Sequence, residues 1–171
     1  MRLRGRDEYP ETGYWQGRYA RYIRAVGEIV SGLPGWGKPG FSSLEIGPND
    51  KTIIDGSDTM DVKDNPTYKQ DAGMKWPIPD KKYSVVIACQ VWEHLCGGQR
   101  YAFKEAVRCG HHVLLTVPYR WRCPSDAMHH NITDKIICEW TCGVKPVIKE
   151  IHGDSAHPVM LLMFSGGYYG V

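Results

Sequence analysis

The sequence predicts one α/β domain built on a mostly parallel sheet of seven strands. Short apolar runs rich in Val, Ile and Leu recur from residue 43 onward, a helical segment separates two of them, and only a few residues join the last two. Runs of this kind are typical of buried strands. A chain of 171 residues with 42% hydrophobic and 23% charged side chains also suits a single domain with a substantial core.

An N-terminal helical cap is predicted over residues 1–40, as part of the same domain as the core at residues 41–171. Apolar side chains recur with a period near 3.6 between residues 14 and 33, which indicates an amphipathic helix. Its other side carries three arginines, Arg18, Arg21 and Arg24. We expect them to form a solvated face, and contact with an anionic ligand is the alternative.

Seven strands are predicted within the core. They are residues 43–47, 57–63, 66–72, 82–89, 111–117, 146–153 and 158–167. A helix at 100–110 makes the fourth and fifth strands parallel, with a right-handed crossover, and a second helix follows at 133–143. The chain leaves little room for crossover helices after strands one and two, so we expect these helices to be shortened or absent. The short final connection implies an antiparallel hairpin.

Composition and charge exclude several function classes. The net charge of +2 and a pI near 8.2 are too mild for a nucleic-acid binder, and no apolar run approaches the length of a membrane span. We therefore expect a small-molecule partner, with neither nucleic acid nor membrane. The first residues lack the apolar stretch of a secretory signal, which indicates a cytoplasmic protein.

The six cysteines are expected to be reduced thiols, since no secretion signal is present. Cys123, Cys138 and Cys142 could form a zinc site with the neighbouring histidines at 129 and 130. Their spacing matches no standard zinc pattern, however, so no metal is predicted.

The first strand carries an acid and ends in a Gly-Pro turn, in the segment SLEIGPND at residues 43–50. Ligands of open α/β sheets bind at the carboxyl ends of the central strands. Gly47 would let the backbone approach a ligand closely, and Glu45 would offer a hydrogen-bond acceptor. A purely structural Gly-Pro turn is the alternative.

A second segment, DAGMKWPIPDKKYSVVIACQVWEHL at residues 71–95, is more specific. It resembles the class I S-adenosylmethionine-dependent methyltransferases, whose members read approximately DA, LPFPD, FDVV and VLEHL. SLEIGP is similar to the family's first motif, YAFKEAVRCGHHVLLTVP to a later helix and strand, and the closing hairpin to its last two strands. The resemblance covers about residues 41–167. It implies a Rossmann-like fold with S-adenosylmethionine as cofactor and S-adenosylhomocysteine as product.

The resemblance also implies which residues hold the cofactor. Glu45 and Gly47 would line its methionine half, and Pro48 and Asn49 would shape the turn beside it. A sulfonium cation favours carboxylate and carbonyl neighbours, which agrees with an acid at this place.

Further along the chain, Asp71 would accept a hydrogen bond from the adenine amino group, with the backbone of Ala72 beside it. Cys89 and Gln90 would lie next to the methyl-bearing sulfonium. An adenine edge needs one acceptor and one donor, which an aspartate and a backbone N–H can supply.

The acid that holds the ribose has two candidates, Asp55 and Asp61. We favour Asp61, because residues 57–63 can then form strand two and residues 66–72 strand three, leading into Asp71. The other aspartate would be a solvated turn acid.

His94 is the candidate catalytic residue. Its neutral imidazole at the pocket mouth could take a proton from an attacking hydroxyl or amine. Methyl transfer depends mainly on alignment, so a structural role for His94 is the alternative. Glu93 is expected to be structural.

The loop after the fifth strand is predicted to reach over the site. Four of its side chains are candidates for contact with the acceptor substrate: Tyr119, Trp121, His129 and His130. An ordinary polar loop is the alternative, and the two histidines cannot be told apart from the sequence.

The function implied is transfer of a methyl group to an oxygen or nitrogen of a small molecule, sugar or natural product. A catalytically degenerate relative that binds S-adenosylmethionine or a protein partner is the alternative. A nicotinamide-dependent oxidoreductase is disfavoured, because the chain lacks the G-x-G-x-x-G turn. The small size implies either a homodimer or a large acceptor on an open site.

Overall fold

A seven-stranded sheet organises the chain. The structure is a computed structural model and describes residues 1–63 and 65–166. Residues 167–171 of the predicted core, including the end of the predicted last strand, lie outside the described residues.

Nine strands are present in this part of the chain: β1 (Arg2–Leu3), β2 (Ser43–Ile46), β3 (Ile54–Asp55), β4 (Asp58–Asp61), β5 (Tyr68–Lys69), β6 (Tyr83–Cys89), β7 (Gly110–Pro118), β8 (Ile148–His152) and β9 (Val159–Ser165). The helices are α1 (Gly13–Arg18), a π-helical turn (Tyr19–Ile23), α2 (Arg24–Ser31), α3 (Gln99–Cys109) and α4 (Asp134–Trp140), with 3₁₀ turns at Arg6–Glu8 and Trp92–His94.

The strand order in the large sheet is β5-β4-β2-β6-β7-β9-β8. Strands β2, β4, β5, β6 and β7 pair in parallel, whereas β9 is antiparallel to both of its neighbours. The predicted mostly parallel sheet and its closing antiparallel hairpin are therefore confirmed. The order reverses between β2 and β6, and a crevice at their carboxyl ends follows from that reversal.

The connections after β2 and β4 are short, as predicted. Among the described residues, no helix lies between β2 and β4 or between β4 and β5. The link between β2 and β4 instead contains β3, which pairs antiparallel with β1 near the N-terminus, with Leu3 opposite Ile54. This two-stranded sheet was not among the predicted elements.

The N-terminal helices cover one face of the large sheet. Val26 and Val30 of α2 are fully buried and belong to one apolar cluster with Val85, Leu114 and Leu161 of the sheet. Helices α3 and α4 pack against the opposite face, where the other apolar cluster lies. The N-terminal segment therefore occupies a layer that crossover helices could otherwise have supplied.

The predicted solvated arginine face is wrong for one of its members. Arg18 is only 7% exposed, whereas Arg24 is exposed. The Arg18 guanidinium donates to the hydroxyls of Tyr14 and Tyr22 and to the carbonyl of Cys89. These acceptors replace the water that the charge would otherwise need.

Within residues 1–63 and 65–166, none of the helices combines the length and the apolarity that crossing a membrane requires.

Candidate functional site

A cleft of about 650 Å³ lies at the carboxyl ends of the central strands. It collects nine of the predicted site residues: Gly47, Asn49, Asp61, Asp71, Ala72, Gln90, His94, Trp121 and His129. These positions are spread over more than 80 residues of sequence, and the parallel pairing of the strands brings them to one edge of the sheet. This volume suits a small-molecule ligand.

Backbone conformation at the edge of the cleft is unusual. Gly47 has φ +59°, and the non-glycine residues Asn49 and Gln90 have φ of +54° and +58°. The Gly47 N–H donates to the carbonyl of Met60 at 2.9 Å, and a Cβ at Gly47 would lie 2.8 Å from Val91 Cγ2. Glycine is therefore required here for both conformation and space. Left-handed residues cost energy, and they cluster at functional sites.

Of the two candidate ribose acids, the structure places Asp61 on the cleft and Asp55 outside it. Asp61 is the last residue of β4, which pairs with β2 so that Met60 lies opposite Ile46. Asp55 lies in β3 and forms an ion pair with Arg4 at 2.7 Å. The predicted position of strand two is confirmed, because β4 lies within residues 57–63, whereas the role of Asp61 toward a ribose stays a prediction.

Asp71 and Ala72 follow β5 and begin a firmly anchored segment. Asp71 Oδ1 accepts from the Gly73 N–H at 2.8 Å, and the carbonyl of Ala72 accepts from Trp76 Nε1 at 2.9 Å. The Trp76 backbone N–H donates in turn to Glu105 Oε2 of α3 at 2.8 Å. The indole of Trp76 is 1% exposed, so it fixes the far wall of the cleft to the core.

Glu45 does not reach the cleft. Its carboxylate accepts from the backbone N–H groups of Ile53 and Ile54, at 2.7 and 2.8 Å, and from the Ser57 hydroxyl at 2.9 Å. Burial raises its pKa to about 7, although these three hydrogen bonds act in the opposite direction. Glu45 therefore holds the loop that carries β3 against β2.

The side chain of Cys89 also lies apart from the cleft. It packs with the apolar cluster under the N-terminal helices, and its carbonyl accepts from Arg18 Nη2 at 3.1 Å. Burial raises the pKa of the Cys89 thiol to about 12. This thiol is therefore an uncharged part of the packing at neutral pH.

Three more predicted residues lie off the cleft. Pro48 lines smaller cavities beside it. Tyr119 is buried, and its hydroxyl donates to Asp134 Oδ2 at 2.7 Å. His130 Nδ1 accepts from the Cys123 N–H at 3.1 Å, so the structure separates the two adjacent histidines: His129 faces the cleft and His130 faces away.

The N-terminal helices supply cleft residues that the sequence analysis missed. They are Tyr14, Arg18, Arg21 and Tyr22. The Tyr14 hydroxyl also accepts from Asn49 Nδ2 at 3.2 Å, which ties the helix to the turn after β2. The one sequence signal for this was the spacing of the arginines, for which contact with an anionic ligand was the alternative interpretation.

At one end of the cleft, Glu93, His94 and His129 lie together. One potential ligand atom from each lies within 4.8 Å of the others. In the described parts of the chain, no other three His, Cys, Asp or Glu side chains come this close together. The His94 and His129 rings meet edge to face with centroids 4.9 Å apart. The cysteines considered for zinc are not brought together, and all six are free thiols.

The electrostatics of this end are dominated by burial. Burial raises the pKa of the Glu93 carboxyl to about 8. Burial also lowers the pKa of His94, and the neighbouring His129 lowers it further. His94 is therefore a neutral imidazole near pH 7 and can accept a proton or bind a metal ion.

Comparison with known proteins identifies the fold. No family model and no curated protein matches this chain. A SAM-dependent methyltransferase from Aquifex aeolicus superposes on it with a TM-score of 0.59 at 11% identity, covering 85% of this chain and 91% of the other. The N-terminal domain of EvdMO1, solved with SAH bound, gives 0.52 at 10% identity, covering 84% and 79%. The chain therefore has the Rossmann-like fold that these two structures share.

Proposed function

We propose that this protein is an S-adenosylmethionine-dependent methyltransferase that acts on an oxygen or nitrogen of a small molecule, such as a sugar or a natural product. One observation carries the proposal: Gly47, Asp61 and Asp71, which follow or end three neighbouring parallel strands, line a single cleft. The resemblance of residues 71–95 to this class of enzyme supports the same conclusion, as do the fold neighbours.

The cleft suits the cofactor group by group. Asp61 offers a carboxylate to the ribose hydroxyls, and Asp71 offers one to the adenine amino group. Gly47 lines the cleft without a side chain of its own, so its backbone can approach the methionine part closely, while Val91 fills the space that a Cβ would need. Val91 and Leu95 line the same cleft and are partly exposed, so they can contact the nucleoside.

When bound, the cofactor supplies an electrophilic methyl group. The residues of this chain then act mainly by positioning, because transfer requires the nucleophile, the methyl carbon and the sulfur to lie in line. Gln90 directly follows the central strand β6 and lines the cleft, as do His94, Trp121 and His129, which we assign to the acceptor side. A neutral His94 could accept the proton of an attacking hydroxyl or amine.

A protein that binds the cofactor without catalysis is the second candidate. It is favoured by the absence of crossover helices after β2 and β4 in the described residues, and by the hydrogen bonds that bind Glu45 to the segment after β2 rather than to a ligand. Methyl transfer to a panel of hydroxylated and amine acceptors would separate the two functions. The homodimer remains a prediction, which light scattering can check.

Calorimetric titration tests cofactor binding directly. S-adenosylhomocysteine should bind and NAD should not. Asp61→Asn and Asp71→Asn should each weaken S-adenosylhomocysteine binding by about 1–3 kcal/mol, as expected for the loss of a hydrogen bond to a carboxylate. Asp55→Asn is the matched control, because Asp55 pairs with Arg4 outside the cleft. Absence of binding to the native chain would contradict the proposal.

A further inference from the structure

We propose that Glu93, His94 and His129 form a binding site for a divalent transition-metal ion, of which Zn²⁺ and Co²⁺ are representatives, at the acceptor end of the cleft. The potential ligand atoms of the three side chains lie within 4.8 Å of one another. A zinc ion bound at about 2.1 Å to each ligand would hold these atoms roughly 3.4 Å apart. Side-chain movements of about 1 Å would close that difference.

Glu93 provides the first independent support. The residue is 4% exposed, and neither of its carboxylate oxygens has a hydrogen-bond partner within the described residues. A buried carboxylate without partners is costly, and structures rarely retain one unless it is protonated, paired or bound to a cation. The nearest cationic candidate is His129, whose Nε2 lies 4.0 Å from Glu93 Oε1, too far for a hydrogen bond. The carboxylate is therefore directed at a histidine with space between them.

His129 provides the second support. Its Nδ1 lies 2.6 Å from Asp126 Oδ2 and donates to that carboxylate, which leaves Nε2, on the side of Glu93, as the ring nitrogen that can bind a metal ion. Metal-binding histidines commonly donate their other N–H to a carboxylate in this way. The ring also stacks on Trp121, with centroids 5.8 Å apart and planes 17° from parallel. Both contacts fix the orientation in which Nε2 is presented.

The ligand types determine the class of ion. Two imidazoles and one carboxylate favour zinc, cobalt, iron or nickel, whereas magnesium and calcium prefer oxygen ligands. Both His94 and His129 line the cleft, so an ion held by them is accessible from it. An oxygen of the methyl acceptor could then bind the ion, and the ion would take the place of His94 as the group that activates the nucleophile, because a metal-bound imidazole no longer accepts the proton. This last step rests on the proposed function, whereas the metal site itself does not.

The test uses Co²⁺ and the full chain, treated with EDTA and dialysed, without S-adenosylmethionine. Titration followed by visible absorption and calorimetry should show one strong site with the d–d bands of nitrogen and oxygen ligation. Glu93→Gln and His129→Ala should each weaken binding at least tenfold. Asp126→Asn should weaken it by about 10-fold or more, the usual effect of removing the partner of a ligating histidine.

His111→Ala is the control, because His111 is exposed at the start of β7, away from the cleft. It should leave Co²⁺ affinity unchanged, and excess Mg²⁺ should not displace the cobalt. Glu93→Gln keeps the side-chain volume and resembles the protonated carboxyl that burial favours, so it should fold as well as the native chain without metal. Equal Co²⁺ affinity of the native chain and Glu93→Gln, or ready displacement by Mg²⁺, would overturn the proposal. Neither result bears on S-adenosylhomocysteine binding.

Discussion

Two buried glutamates differ in their hydrogen-bond partners. Glu45 and Glu93 are 3% and 4% exposed, and burial raises the pKa of both. Glu45 has three hydrogen-bond donors, all from the segment between β2 and β4, and it is a structural acid. Glu93 has none among the described residues and faces two histidines across the end of the cleft. Because both are equally buried, it is their partners that distinguish the structural role of Glu45 from the binding role proposed for Glu93.

The pKa of Glu45 predicts a pH dependence of stability. Its folded pKa of about 7 exceeds its ordinary value of 4.5, so the folded state holds a proton that the unfolded state has lost between these pH values. The stabilising contribution is fully present below pH 4.5 and is lost as the pH rises through 7. A shift of this size corresponds to about 3 kcal/mol at most.

Glu45→Gln should remove this dependence. Urea unfolding of both proteins between pH 4.5 and 8 measures it, and the native chain should lose its advantage over the variant as the pH rises. The difference between the two proteins removes the pH-dependent contributions of the other titrating groups, including Glu93, because both proteins share them. Parallel stability curves for the two proteins would show that Glu45 titrates alike in the folded and unfolded states.

At the scale of elements, the turn after β2 has no room for a side chain at Gly47. Gly47→Ala combines a left-handed backbone with a Cβ placed 2.8 Å from Val91 Cγ2. We expect a loss of about 2–4 kcal/mol in the free energy of unfolding, which chemical denaturation can measure. In a Val91→Ala background the clash is removed, and the same change should cost only about 1 kcal/mol. Equal costs in the two backgrounds would contradict the steric explanation.

The central elements could be predicted because their signals are local. The strands at β6 and β7 are continuous apolar runs, and the short link before β9 forces a hairpin. Contacts between distant segments gave no such signal. The two-residue strand β1 is too short to show a period, and its partner β3 lies about 50 residues away.

The same limit applies to the candidate site. Asp61 was predicted because residues 57–63 could form a strand, and Asp71 because its segment resembles that of class I methyltransferases. The burial of Arg18 depends on hydroxyls and a carbonyl that the fold brings to it, and its charge alone suggested a solvated position. His129 reaches Glu93 only through a loop 36 residues further along the chain, and no pattern within either segment indicates that pairing.

At the scale of the whole molecule, the N-terminal helices complete the core. They cover the sheet face on which Val85, Ile87 and Leu114 lie, and they also contribute Tyr14 and Arg18 to the cleft. A segment that both buries the sheet and lines the site should not unfold separately from the rest. We therefore propose that residues 1–40 and the core form one cooperative unit.

Val26→Ala tests this cooperativity. Val26 is fully buried in α2, so the loss of two methyl groups should cost roughly 2 kcal/mol. Because the segment and the core unfold together, hydrogen exchange of the slowest amides in β6 and β7 should accelerate by the full amount, about 30-fold. Glu28→Ala is the matched control on the exposed side of α2, where the Arg24–Glu28 pair at 3.8 Å contributes little. If exchange accelerated only within residues 1–40 while β6 and β7 kept their native rates, the N-terminal helices would be a separate unit, and the cleft would have to assemble by docking.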